Sequence, residues 1–191
     1  MVAALVGYLL GSVPVALLVA RRHGVDLRAV GDGNPGAWNA LDHLGARRAW
    51  PAFVGDGLKG TLAGVVGLLL GDVWTAYAAV AAAMLGHAFP LFAGLRGGKA
   101  VMTFVGGAFA LAPLAALACL AGCLLVIAAT RSFAHGARLG VFAFPLAQLA
   151  LEPVEEVAAT GGLMCLIGAL FLARRSAPAT SATGAGPTTS A

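Results

Sequence analysis

Charge is what this sequence has least of. Lys, Arg, Asp and Glu make up 10% of its 191 residues, against 60% hydrophobic residues and a mean hydropathy of +0.90. Those values exclude an ordinary soluble domain. Cysteine is scarce as well: Cys119, Cys123 and Cys165 lie in apolar stretches without metal-ligand spacing, which assigns them to packing and predicts no disulfide. The histidines show no metal-binding arrangement either, so no metal site is expected. No cation precedes the first apolar run, whereas Arg21 and Arg22 follow it. That is the wrong polarity for a cleaved signal peptide and the right one for an N-out anchor. Residues 176–191 carry no charge at all, only Ala, Thr, Ser, Gly and Pro, and are predicted to be a disordered tail behind one polytopic domain over residues 1–175.

What is present is membrane-compatible sequence. The apolar stretches at 1–20, 50–70, 73–93 and 157–173 are each near the ~20 residues needed to span ~30 Å of hydrocarbon. Residues 101–130 and 139–151 add more. A net charge of +4 would point to nucleic acid in a soluble protein, but here the cations sit between the spans and orient the chain, so no nucleic-acid partner is expected. Apart from Lys59 they form four groups: Arg21, Arg22, Arg28, Arg47 and Arg48; Arg96 and Lys99; Arg131 and Arg138; Arg174 and Arg175. The turns between them carry Asp72, then Pro113 with no charge, then Glu152, Glu155 and Glu156. Placing all four groups on one side obeys the positive-inside rule. It predicts an all-α membrane protein of about seven transmembrane helices, N-out and C-in, with its site on the cytoplasmic face. The stretch from Lys99 to Arg131 is short for two full spans, so two short helices broken near Pro113 are predicted.

The chemistry-bearing residues gather on that face. In Gly31-Asp32-Gly33-Asn34-Pro35-Gly36-Ala37-Trp38-Asn39, three closely spaced glycines offer backbone N–H groups to an anion, and nearby arginines offer charge. A second glycine-plus-cation turn, Leu95-Arg96-Gly97-Gly98-Lys99, is expected to face the first and close a two-sided phosphate pocket. Asp56-Gly57-Leu58-Lys59-Gly60 places an i, i+3 ion pair inside an apolar span, where ionisable groups are costly and read as functional. Gly11-Ser12-Val13-Pro14 loosens the first helix, and His87 ends the third span. The segment between Gly24 and Arg48 is too apolar for a free linker and is expected to lie against the membrane. Two decoys fail. Gly31-x-Gly33-x-x-Gly36 fits a dinucleotide fingerprint, but no strand–helix alternation surrounds it and Pro35 stands where a helix should begin. Ser12, His87 and Asp56 make a triad on paper, with no nucleophile-elbow sequence behind it.

Gly11-Ser12, Gly24-Val25-Asp26-Leu27-Arg28, the Gly31–Asn39 loop, Asp56-x-x-Lys59-Gly60, Gly86-His87-x-Phe89-Pro90 and Gly97-Gly98-Lys99 together resemble the bacterial membrane acyl-phosphate:glycerol-3-phosphate acyltransferases over roughly residues 5–130. The resemblance implies seven helices in the inner (cytoplasmic) membrane and no cofactor. It implies transfer of a fatty acyl group from acyl phosphate to the sn-1 hydroxyl of glycerol 3-phosphate, making lysophosphatidic acid for phospholipid synthesis among membrane lipids. It assigns His87 and Lys59 to catalysis, and Ser12, Arg28, Gly31, Asp32, Gly33, Asn34, Gly36, Asn39, Asp56, Gly97, Gly98 and Lys99 to substrate and phosphate binding. No motif specifies an oligomeric state. The chain departs from the family pattern at Asp32 (serine), Trp38 (threonine) and Ala100 (glycine), and in Ser132-Phe133-Ala134-His135. It also reads Arg174-Arg175-Ser176-Ala177-Pro178 where the family's final His-Arg-Glu-Asn motif should begin. An ionised Asp repels phosphate where a hydroxyl would donate to it, and indole is far bulkier than a threonine side chain. The alternative is a catalytically inactive relative acting as a lipid-binding or regulatory membrane protein. A small transporter has little support, because the polar residues gather on one face.

Overall fold

The computed structural model describes residues 1–175, with side chains through Ala173, and every regular element among them is helical. The expected disordered tail lies outside the described residues. Helices α1 (Val2–Gly11) and α2 (Val15–Arg22) form one membrane-length segment, Val2–Arg22, interrupted at Ser12-Val13-Pro14. Pro14 has no N–H to donate and disfavours helical geometry at Val13, so the ladder opens there. The short helix α3 (Ala37–Leu44) leads into α4 (Ala46–Leu70), and α5 (Val73–Ala88) follows, its first turn capped by Asp72, whose carboxylate accepts the Thr75 N–H at 2.9 Å.

The chain then crosses in pieces. Helix α6 (Val101–Leu111) has 11 residues, which at 1.5 Å each is roughly half of the hydrocarbon thickness. The break falls at Ala112, directly before Pro113, as predicted, but α7 (Pro113–Thr130) is not short: its 18 residues are long and apolar enough to cross a membrane. Helices α8 (Phe133–Phe142) and α9 (Phe144–Leu149) divide the next apolar stretch, and α10 (Val154–Arg175) closes the described chain. Five segments are long and apolar enough to span: Val2–Arg22, Ala46–Leu70, Val73–Ala93, Pro113–Thr130 and Val154–Ala173.

Packing follows the logic of a bilayer. On α4 the buried face carries Ala49, Ala52, Gly57, Gly60, Ala63, Gly64 and Gly67, while Trp50, Val54, Leu58 and Leu62 point outward. Lipid is as apolar as leucine, so nothing drives large side chains inward, whereas small ones let backbones approach. The approach is closest between α4 and α6. A Cβ on Gly60 would run into the Thr103 carbonyl and one on Gly106 into the Gly57 carbonyl, and Thr61 Oγ1 donates across the seam to the Gly106 carbonyl at 2.7 Å. Helices α1 and α5 meet in the same way through Gly7, Gly11 and Gly86. The segment after α2 is not a loose loop: Leu27, Ala37 and Ala40 are buried with Leu17, Ala20, Ala49 and Ala52 in a small core beneath it. A larger core joins α5, α6, α7, α9 and α10 around Tyr77, Val80, Met84, Phe104, Leu111 and Phe144.

Candidate active site

The loosened first helix, the middle of α4 and the end of α5 meet at one point. Lys59 Nζ lies 2.9 Å from Asp56 Oδ1 and donates to the Val13 carbonyl at 3.1 Å, the region opened by Pro14. His87 Nδ1 is 3.7 Å from the same Asp56 oxygen, and all three side chains are buried. The i, i+3 spacing read from the sequence therefore makes an ion pair, and the tertiary structure adds a histidine and a backbone carbonyl to it. These groups line a cavity of about 10 Å³ together with Pro14, Pro35, Gly97 and Gly98. As folded it has room for about one water molecule.

The two glycine-rich segments do face each other across this cavity, yet their amides are engaged elsewhere. Gly97 N–H donates to the Ala88 carbonyl at 3.0 Å and Gly98 N–H to the His87 carbonyl at 3.1 Å. Gly33 N–H donates to Val30 (3.0 Å) and Gly36 N–H to Asn34 (2.8 Å). The expected cradle of free amides is corrected at these four positions. What glycine supplies instead is closeness: a Cβ at Gly97 would strike the His87 carbonyl, and one at Gly98 the His87 imidazole. Gly31 and Gly33 supply the turn, with φ of 59° and 67°. Ala100 also has a positive φ, 59°, which accounts physically for the glycine in the family pattern at that position.

Three other expectations change in the same way. Asn39 Nδ2 donates to the carbonyls of Leu27 (3.0 Å), Val30 (3.1 Å) and Asn34 (3.0 Å), so its amide holds the loop closed and has no donor left for phosphate. Ser12 Oγ donates to the Tyr8 carbonyl at 2.8 Å and completes the end of α1, which removes it as a nucleophile in this arrangement. Asp32 offers acceptors only: Oδ1 takes the Asn34 N–H at 3.0 Å and Oδ2 takes Lys99 Nζ at 2.9 Å. Partial burial pushes its carboxyl up, but the Lys99 hydrogen bond, the Asn34 N–H and the Lys99 charge together outweigh this and hold it below the ordinary 3.8. Trp38 is not among the cavity's lining residues and packs at a tilt of 32° on Phe133, ring centroids 5.5 Å apart, with Phe53 edge-on to the same ring.

Arg28 clamps the two segments. Its Nη2 donates to the carbonyls of Ala93 at 2.5 Å and Arg96 at 2.8 Å, while its buried Nε has no hydrogen-bond partner. The buried Asn34 Oδ1 has none either. Sequence reasoning missed Tyr8, whose hydroxyl donates to the Phe89 carbonyl at 2.8 Å and ties α1 to the end of α5, and Phe171, whose ring lies 4.6 Å from Lys99 Nζ. Tyr8 sits one helical turn before Ser12, a signal that local spacing carries; Phe171 had none.

The family model for glycerol-3-phosphate acyltransferase matches residues 1–180. The chain belongs to the glycerol-3-phosphate acyltransferase family. The match thus extends past residues 5–130, the stretch over which the motifs carry the resemblance. Relatives of that name include proteins from Geobacter sulfurreducens, 40% identical over 77% of this chain and 76% of the relative, and from Rhizobium etli, 37% identical over 86% and 80%. Among solved structures the chain is similar to PlsY (YgiH), an integral membrane glycerol 3-phosphate acyltransferase, in its glycerol 3-phosphate form. The TM-score is 0.75, with 31% identity over 91% of this chain and 86% of that one; for the lysophosphatidic acid form the values are 0.72 and 29%. This acyltransferase is therefore a multi-pass membrane protein, and the reading as an inactive lipid-binding relative is not favoured.

Proposed function

We propose that the chain transfers a fatty acyl group from acyl phosphate to the sn-1 hydroxyl of glycerol 3-phosphate, at the cytoplasmic face of a bacterial inner membrane. The hydroxyl oxygen attacks the acyl carbonyl carbon, the bond from that carbon to the phosphate oxygen breaks, and lysophosphatidic acid and inorganic phosphate leave. The hydroxyl proton goes to a phosphate oxygen. The observation that carries this reading is the cavity itself: Asp56, Lys59 and His87 line it, Arg28 and Lys99 belong to the segments that close it, and no serine, threonine or cysteine is among its lining residues. An acyl phosphate is already activated, so cations that hold two anions and align hydroxyl with carbonyl are sufficient, and no covalent intermediate is needed.

In this reading Arg28, Lys59 and Lys99 bind phosphate oxygens, with Arg28 Nε the unpartnered donor, and His87 supports the site beside Asp56. Glycine amides and Asn39 shape the pocket without donating to substrate. The orientation is N-out and C-in over about seven crossings, counting α6 and the α8–α9 pair with the five long segments. It is supported by contacts that gather the cationic groups at one end: Arg28 reaches the Arg96 carbonyl, Trp38 packs on Phe133 beside Arg131, and Phe171 in the last turns of α10 lies against Lys99. The test gives purified protein in lipid labelled glycerol 3-phosphate and acyl phosphate. Lysophosphatidic acid is the expected product, and no product above a Lys99→Ala control, where an authentic family member turns over, overturns the proposal.

A further inference from the structure

Lys99 already holds an anion, and that anion is part of the chain. Asp32 Oδ2 lies 2.9 Å from Lys99 Nζ, the separation of a charge-assisted hydrogen bond to a phosphate oxygen. The carboxylate does not rest there by chance of a flexible side chain, because its other oxygen accepts the Asn34 N–H at 3.0 Å and so orients the group within the turn. The pair bridges residues 67 positions apart and joins the two segments that close the cavity. It is also reachable from water: the Asp32 side chain is 53% exposed and that of Lys99 23%. The ammonium also lies 4.6 Å from the centroid of the Phe171 ring, which offers attraction but no hydrogen-bond acceptor of comparable strength.

We propose that Asp32 sets the phosphate affinity of this site by competing with substrate for Lys99. Its carboxylate occupies the place on the ammonium that a phosphate group would take, and each binding event must displace it. Because the pair is partly solvated, displacement is easy enough for binding to proceed, yet the displaced carboxylate stays close and repels the arriving dianion. Asp32 thus tunes affinity by acting through Lys99, and a neutral side chain at this position tightens binding. The inference rests on Lys99 being a phosphate ligand, as proposed above. The phosphate is that of glycerol 3-phosphate or that of the acyl donor, the two sources sharing the same chemistry.

The test uses the full-length protein in nanodiscs and the variants Asp32→Asn, which keeps an acceptor for the Asn34 N–H, and Asp32→Glu, which keeps the charge. Calorimetric titration with inorganic phosphate at low salt is expected to show Asp32→Asn binding about threefold to fivefold more tightly than wild type, and Asp32→Glu within about twofold of it. In turnover, KM for one substrate falls by a similar factor while kcat changes less, and the substrate whose KM falls is the one whose phosphate meets Lys99. A Lys99→Ala background is expected to shrink the gain to the part that comes from relieved repulsion, since there is then no ammonium to compete for. Unchanged or weaker phosphate binding in Asp32→Asn, in protein whose thermal unfolding matches wild type, overturns the inference, as does an equal gain in the Lys99→Ala background. Absence of turnover with the phosphate effect intact overturns the proposed reaction and leaves this inference standing.

Discussion

Replacing Lys59 by methionine separates what the buried ion pair does for the fold from what it does for the reaction. At 2.9 Å and an effective dielectric constant of ~20, the attraction between Lys59 and Asp56 is about 6 kcal/mol, and removing two ions from water costs several kcal/mol each, so the intact pair is close to neutral in net stability. Removing one partner is not neutral. Lys59→Met leaves the Asp56 carboxylate buried without its ammonium partner, His87 Nδ1 standing 3.7 Å away, and a loss of about 3–5 kcal/mol is expected. The double variant Asp56→Asn/Lys59→Met removes both charges and regains stability to within about 1 kcal/mol of wild type. The assay is equilibrium unfolding in mixed micelles with increasing dodecyl sulfate, followed by circular dichroism, with lysophosphatidic acid formation measured on the same samples. The double variant is expected to fold and fail to turn over. A single variant within about 1 kcal/mol of wild type refutes the burial argument. A double variant that turns over at the wild-type rate refutes the catalytic role of Lys59 and leaves the pair purely structural.

Gly106→Val drives a Cβ into the Gly57 carbonyl, both atoms being backbone-held, so about 3 kcal/mol or more of stability is lost, read in the same unfolding assay. Tyr77→Phe, at the opposite end of α5 from His87, removes a hydroxyl that donates to the Glu156 carbonyl at 2.9 Å, meets Thr160 Oγ1 at 3.1 Å and accepts from Gln148 Nε2 at 3.3 Å. It is expected to cost about 1–3 kcal/mol while acyl transfer persists, and loss of activity in folded protein would show that this network reaches the site. The Asp32–Lys99 bridge gives a pH signature. With the Asp32 carboxyl held below 3.8, the contribution of the pair is fully present above that value and is lost as pH falls through the lower folded value. Carboxyl NMR of selectively labelled protein is expected to show Asp32 titrating below 3.8 in wild type and at higher pH in Lys99→Ala, which loses the ammonium's hydrogen bond and charge.

Composition determined the membrane character, and the length of the apolar runs determined the helical class, because a bilayer admits only helices or closed barrels and runs near ~20 residues fit a spanning helix and not a strand. Proline and charge placement were legible too: Pro14 and Pro113 break helices by their own covalent structure, and Asp56 and Lys59 meet because three residues make nearly one helical turn. The six motifs named the family for the same local reason. What only the tertiary structure decided is how the glycine-rich segments work. Local pattern makes Gly33, Gly36, Gly97 and Gly98 look like anion cradles, but whether an amide faces a ligand or a carbonyl depends on which backbone packs beside it, and here the neighbours are Val30, Asn34, Ala88 and His87. Asn39 and Ser12 turned inward to carbonyls for the same cause. Phe171 reached Lys99, and Asp32 took the ammonium across a separation of 67 residues, because a shared face brought together side chains that no local period relates. Sequence spacing carries contacts within a turn of helix; contacts between distant segments exist only once the helices have packed.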